Sequence, residues 1–389
     1  MSKHFLKPYL DYAATTPLDP QVFEAMKPFF HEKFGNPASL HWAGQEAAQA
    51  MATARNTLAQ AINTSPEELT FTSSATESNN LALKGLVWAN KSKRNKIIVS
   101  AVEHDCVLNT AKWLAMQGIM VEYLQVNQYG EVDLEKLKTQ LDKETLLVSV
   151  IHANNEIGTI QPIKKIAELC HQVGAYLHID VSQTFGKIAL DVQKLGVDLL
   201  TTSAHKIYGP KGIAFLYHKK GVKLSPLLHG GGQELNLRSS TSNVPGIVGF
   251  AKAIEIALEN QEQEANRLKK LRDYLENGIL SSIKNSYLNG HPTNRLYNIS
   301  NIRFDFIEGE ALVMSLSQKG VAASTGSACS SPKLEPSHVL LATGLKPAQA
   351  HGSLRLSVGR WTTQDEVEYA LGTIQEVVKN LRKISPFKK

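Results

Sequence analysis

The sequence predicts an α/β protein built on a mostly parallel, seven-stranded sheet flanked by helices, followed by a smaller α/β unit. Three observations carry this. From about residue 66 to 217, short β-rich runs alternate with segments of helical periodicity, and strands that alternate with helices imply a parallel sheet covered on both faces. The 389 residues, 42% of them apolar, are enough for a sizeable core and for more than one unit of ~150 residues. A charged helical pattern from Ile254 to Ile279 then separates the alternating region from further short strands and helices.

The elements follow in order. A helix over Gln45 to Ile62 carries the stripe Ala47, Met51, Ala54, Leu58 and Ala61, the spacing of a core-facing side. The predicted strands are Leu69 to Thr72, Lys96 to Ser100, Met120 to Leu124, Thr145 to His152, Ala175 to Asp180, Asp198 to Ser203 and Gly212 to Tyr217. Between them, Ile163 to Val173 places Ile163, Ile166, Ala167, Leu169 and Cys170 on one helical face. The segment Ile254 to Ile279 reads as one connecting helix with Gly278 near its stop, and the last helix opens at Thr363 with Glu366 three residues on, a capping box.

Composition excludes several classes. A net charge of 42 − 36 = +6 over 389 residues is too thin for a nucleic-acid footprint, and the cluster Lys91, Lys93, Arg94 and Lys96 reads as a solvated helix end. No apolar run reaches the ~18 residues of a membrane span, and MSKHFLKPYLDY lacks the apolar stretch of a secretory leader, so a cytoplasmic protein is expected. The three cysteines, Cys106, Cys170 and Cys329, are too scattered for a disulfide framework. His104 with Cys106 and Cys170 with His171 do not add up to a metal site, and none is expected.

The chemistry concentrates in five segments. In DLLTTSAHKIYGPKG, an apolar strand ends in Ser203, Ala204, His205 and Lys206 before a glycine-rich turn. A lysine at the end of a buried strand must be paired, deprotonated or covalently used as an imine. AYLHIDVSQ brings Asp180 and then Gln183 to the same sheet edge. An aspartate beside a lysine there suits pyridoxal phosphate, with the lysine on its aldehyde and the aspartate on its ring nitrogen, and equally suits a plain Asp180–Lys206 ion pair. LTFTSSATESNNLALKG runs from a strand through a hydroxyl-rich loop into a helix at Ala75 and Thr76, an anion cradle or an ordinary helix cap. His104, just past a strand, is placed to stack on a ring or to carry protons. Cys329 lies among Gly, Ala, Ser and Pro residues, where a thiol is not core filling; Cys106 and Cys170 read as structural.

Taken together these residues resemble the pyridoxal-phosphate-dependent cysteine desulfurases of the NifS/IscS type, in the class V aminotransferase group of fold type I. The likeness spans nearly the whole chain: YLDYAATTP at Tyr9, FGNPAS at Phe34, FTSSATESNNLALKG, HANNEIG at His152, HIDVSQ, SAHKIYGPKG, HGGGQE at His229, LRSSTSN at Leu237, STGSAC at Ser324 and SLRLSVGR at Ser353. It implies a large domain of residues 15–255 and a small domain of 1–14 with 256–389. It also implies that Lys206 carries the cofactor, Asp180 pairs its pyridine nitrogen, His104 stacks on the ring and Gln183 bonds the ring hydroxyl. Ala75, Thr76, Ser203 and His205 would hold the phosphate, with Thr241 reaching in from the second subunit of a homodimer. Asn155 and Arg355 would take the substrate carboxylate, and Cys329 would be the nucleophile.

The implied reaction converts L-cysteine to L-alanine and leaves sulfur on Cys329 as a persulfide, for delivery to a sulfur acceptor such as an iron–sulfur scaffold. The sequence departs from the family at Thr72-Ser73-Ser74, where a glycine is usual third, and at Asp105-Cys106 after His104. Its tail, SPFKK, is short for the iron–sulfur members, which leaves the acceptor open. The alternatives are selenocysteine lyase or another class V reaction, which needs no Cys329, and a catalytically silent interaction protein, which need not keep Lys206, Asp180, His104 and Cys329.

Overall fold

The computed structural model describes residues 6–325 and 335–386. All seven predicted strands form: β1 (Leu69–Thr72), β2 (Lys96–Ser100), β3 (Met120–Leu124), β4 (Thr145–Ile151), β5 (Tyr176–Asp180), β6 (Leu199–Thr201) and β7 (Ala214–His218). Their spatial order is β1-β7-β6-β5-β4-β2-β3. Only β7 runs against the rest, inserted between β1 and β6. Strands β1, β2, β4 and β6 are buried along their whole length, as a sheet covered on both faces requires. β3, at one edge, is partly exposed.

Parallel strands share one carboxyl-terminal edge, so β2, β4, β5 and β6 deliver their following residues to the same side. His104, Asn155, Asp180 and Lys206 stand in or just after those strand ends. β1, antiparallel to β7, is parallel to β6 and leads into the helix Ala75–Asn80 at that edge.

One predicted helix is two. The segment expected to run unbroken from Ile254 to Ile279 consists of Val244–Glu259 and Gln261–Ser282, separated at Asn260, whose φ of −109° and ψ of 5° leave the helical region. Gly278 is no stop signal. It lies inside the second helix, where a Cβ would come within 2.5 Å of Leu371 on the last helix, so the glycine serves close helix packing. That last helix, Gln364–Ile384, is capped by Thr363 and Glu366 as predicted.

A second sheet of β8 (Ser286–Asn289), β9 (Ile299–Phe304) and β10 (Ser353–Ser357) is antiparallel, in the order β10-β9-β8. Its apolar core joins Leu268, Leu275, Leu354, Leu356 and Ile374 to Leu10 from the start of the chain. Leu10 accepts a hydrogen bond from Ser357 N–H at 2.8 Å. Among the described residues no helix is long and apolar enough to cross a membrane.

His178 ties three strands of the large sheet, its ring 2.8 Å from Ser149 Oγ on β4 and 3.0 Å from Thr201 Oγ1 on β6. Burial pushes its pKa from 6.5 down to about 4. On acidification the unfolded chain therefore takes a proton here near pH 6.5 while the folded one does not until about pH 4, so stability is lost as pH falls through that window. Thermal melts at pH 7 and pH 5 check this: the unmodified protein should lose more Tm than His178→Gln, and equal losses would contradict the assignment.

Candidate active site

A cavity of about 460 Å³ opens at the carboxyl-terminal edge of the large sheet. Ala75, Thr76, His104, Asn155, Asp180, Gln183, Ser203, His205, Lys206 and Arg355 all line it. Ten of the twelve residues singled out in the sequence thus meet in one place. Thr241 does not; it lines an adjoining hollow of about 210 Å³ that shares Ser73, Gly212 and Ile213 with the main cavity. Cys329 lies outside the described residues.

Lys206 closes the short turn Ala204–Lys206 after β6. Its Nζ donates to the carbonyls of Ala13 and Ala14, at 2.6 and 2.7 Å. The N-terminal segment clasps the turn at further points: His205 O accepts from Thr16 N–H (3.1 Å) and Thr16 Oγ1 (2.9 Å), and Thr16 Oγ1 accepts from Tyr208 N–H at 2.9 Å. Tyr208 sits at a φ of 65°, a left-handed conformation costly for a residue with a Cβ. Its ring is held against Tyr12 and Trp361, with the Arg360 guanidinium 4.2 Å above.

Asp180, at the end of β5, is 4% exposed. Its carboxylate accepts from Ser182 N–H and from Asn79 Nδ2, both at 2.8 Å. His104 caps the helix Asp105–Met116, its Nδ1 accepting from Cys106 N–H at 3.1 Å. With that lone pair used, the neutral ring carries its proton on Nε2. His205 places Nδ1 3.0 Å from Thr15 Oγ1. Burial first, then the charges of Lys206, Lys211 and Lys187, push its pKa down to about 4, so the ring is neutral at pH 7.

Arg355 reaches the cavity from β10 of the second sheet. It is 2% exposed. Nη2 pairs with Asp11 at 2.7 Å, Nη1 donates to Asn155 O at 3.1 Å, and Nε is buried with no partner among the described residues. The guanidinium fork keeps N–H groups for a second carboxylate.

Cys106 packs against the apolar cluster that includes Leu83, Val107 and Ala111, as a structural residue would, and it also lines the cavity, with Sγ 3.1 Å from His104 Nδ1 and 3.1 Å from Asn79 Nδ2. Cys170 is buried on its apolar helix face as expected, and burial with the nearby Asp198 charge pushes its thiol up to about 12. Asn79, Ser182, Ala13 and Ala14 were missed. Asn79 had a signal, lying three residues past Thr76 on the same helix face; the two alanines act through carbonyls, which no side-chain motif reveals.

A sequence profile of the family described as "Aminotransferase class-V" matches residues 8–370. The chain belongs to the class-V aminotransferase family. It is 50% identical over 379 residues to "Cysteine desulfurase IscS 1" of Archaeoglobus fulgidus, covering 97% of this chain and 99% of that one. It is 49% identical over 380 residues to "Cysteine desulfurase IscS" of Dictyoglomus turgidum, covering 98% and 96%. Among solved structures, a class-V relative described as "NIFS-LIKE PROTEIN" superposes with a TM-score of 0.91 at 40% identity, covering 97% of this chain and 100% of that one. Another, described as "SspA in complex with cysteine", reaches 0.81 at 34% identity, covering 92% and 100%.

The turn that carries Lys206 depends on Gly209, where a Cβ would stand 2.8 Å from Ala204 O and 3.0 Å from Ala204 Cβ. Gly209→Ala should cost about 1–3 kcal/mol. Gly372, on the exposed side of the last helix with nothing within 4 Å of a Cβ, is the control: Gly372→Ala should gain up to about 1 kcal/mol. Denaturant unfolding of both variants checks the pair, and equal changes would count against the close approach at Gly209.

Proposed function

We infer that this chain is a pyridoxal-phosphate-dependent cysteine desulfurase, converting L-cysteine to L-alanine and passing the sulfur onward. The observation that carries the reading is the convergence of Lys206, Asp180, His104 and Arg355 on one cavity, in a chain half identical to proteins named cysteine desulfurase.

The residues present fit the cofactor. A half-buried amine, Lys206, suits its aldehyde. Asp180, already fixed by two N–H donors, suits a protonated ring nitrogen. Ser182 Oγ, buried in the cavity lining without a partner among the described residues, and the first amides of the helix at Ala75 are donors in need of acceptors. Ala75, Thr76, Ser203 and His205 would hold the phosphate, Gln183 the ring hydroxyl, and His104 would stack on the ring. When bound, pyridoxal phosphate supplies an electron sink for the substrate's α-carbon.

The chain's own residues do the rest. Arg355, with Asn155 beside it, binds the substrate carboxylate and so orients the α-proton toward Lys206 Nζ, which takes it. The Ala13 and Ala14 carbonyls fix the resting position of that nitrogen. Cys329 attacks the substrate sulfur as a thiolate: the carbon–sulfur bond of cysteine breaks, a sulfur–sulfur bond forms on Cys329, and the released carbon fragment is protonated to alanine. Support for Cys329 comes from its flanks. Ser324 pairs with Arg355 across 2.7 and 3.3 Å backbone bonds, and His338 bonds Glu103 O at 2.9 Å, next to His104.

The reading extends to a homodimer in which Thr241 completes the partner's phosphate site; its support is the hollow that joins Thr241 to the main cavity. It also includes a large unit of residues 15–255 and a small unit of 1–14 with 256–389, supported by separate apolar cores. We place the protein in the cytoplasm, where Cys106 and Cys170 stay reduced, with an iron–sulfur scaffold as acceptor.

Two variants test the chemistry. Lys206→Ala should abolish the visible absorption of the reconstituted protein and slow alanine formation by ~10² or more. Cys329→Ser should keep that absorption yet lose alanine formation, and mass spectrometry after incubation with cysteine should find one added sulfur on Cys329 in the unmodified protein. Unimpaired turnover by Cys329→Ser would overturn the persulfide step.

A further inference from the structure

Lys187 has no part in the chemistry above. It follows β5 by seven residues, in a tight turn that Gly186 permits at a φ of 71°, where a Cβ would press to 3.2 Å on Ala257, Ile207 and Ile254. The turn brings the lysine back beneath Gln183, one turn earlier, and its Nζ lies 3.4 Å from Gln183 Oε1. Gln183 is 3% exposed and lines the cavity; its Nε2 donates to Ala13 O at 2.8 Å. The same carbonyl accepts from Lys206 Nζ at 2.6 Å. Four groups therefore form one chain: Lys187 Nζ, the Gln183 amide, Ala13 O and Lys206 Nζ.

An amide can stand either way round, and its two ends offer opposite chemistry to a ligand. Here both neighbours suit the same orientation. Ala13 O can only accept, so Nε2 must face it, which turns Oε1 toward Lys187 Nζ, a donor there. This leaves an N–H of Gln183 for an oxygen in the cavity.

As packing, Lys187 is a poor choice. The residue is half-buried, and burial, then the charge of Lys206, pushes its pKa down to about 7 against the partly offsetting Glu264. An apolar residue would avoid that desolvation cost. Resting on the cofactor reading above, we propose that Lys187 is a positioning residue, which sets the amide of Gln183 so that its N–H meets the cofactor oxygen and links that contact through Ala13 to Lys206.

The test uses the full-length protein stripped of cofactor and titrated with pyridoxal phosphate, followed by visible absorption and by the circular dichroism induced in the bound cofactor. Lys187→Met should weaken binding about 10-fold and reduce the induced signal. Lys187→Arg, which keeps a donor, should recover most of both. In a Gln183→Ala background, Lys187→Met should change affinity by less than about 2-fold, because its target is gone. Should Lys187→Met fail to fold, Lys187→Gln carries the same comparison. Unchanged affinity and dichroism in the single variant, or an equal loss in the Gln183→Ala background, overturns the role for Lys187. A wild-type protein that binds no pyridoxal phosphate overturns the cofactor reading and this inference with it.

Discussion

The site depends on how one half-buried amine is held. Lys206 stands at the end of a strand whose neighbours are apolar, where an unpaired ammonium would be costly. Two carbonyls of the N-terminal segment satisfy it, and Thr16 bonds the backbone on either side of it. That clasp spans about 190 residues of sequence. It makes residues 13–16 part of the framework of the candidate site.

The same segment joins the two sheets. Leu10 enters the core of the second sheet, Asp11 pairs with Arg355, and two residues later Ala13 meets Lys206 and Gln183. Arg355 and Lys206 are thus fixed to one another through the three residues from Asp11 to Ala13. Arg360, paired with Asp19 and Glu264 and lying over Tyr208, braces the far side of the Lys206 turn from the second unit. Arg355 and Arg360 are thus paired with named carboxylates and Lys206 is held by carbonyls, which is what permits them to sit in low-dielectric surroundings.

Electrostatics also sort the roles. His205 is kept neutral by burial and three nearby lysines, so it can only offer or accept a hydrogen bond at pH 7. Glu103, buried next to His104, has its carboxyl pushed well above the usual range by desolvation, so it adds little negative charge beside the ring. Asp180 keeps two N–H donors aimed at its carboxylate, an arrangement suited to an anion. The cavity floor is thus a graded set of charges on rigid strand ends, where positional precision is greatest.

Much of this was legible in the sequence. Alternating periodicity located all seven strands because each is a short apolar run bounded by turn residues, and a parallel sheet then sends His104, Asn155, Asp180 and Lys206 to one edge. The motifs named those side chains because their chemistry is written in residue type. What the sequence misread, it misread for physical reasons. Periodicity runs smoothly across Asn260, so one helix was expected where a single non-helical residue makes two; Gly278 looked like a stop but is a contact surface for Leu371. That Cys106, besides packing on the core, also lines the cavity was not legible, because exposure to a cavity formed by other segments is not a property of its neighbours in sequence. The chain by itself thus settled the elements, their order and the reactive groups, since these follow from local pattern and side-chain chemistry. Only the tertiary structure decided that alanine carbonyls grip Lys206, that Asn79 serves Asp180 and that Lys187 stands behind Gln183, because those contacts are made by backbone atoms and by turns that bring distant or differently facing residues together.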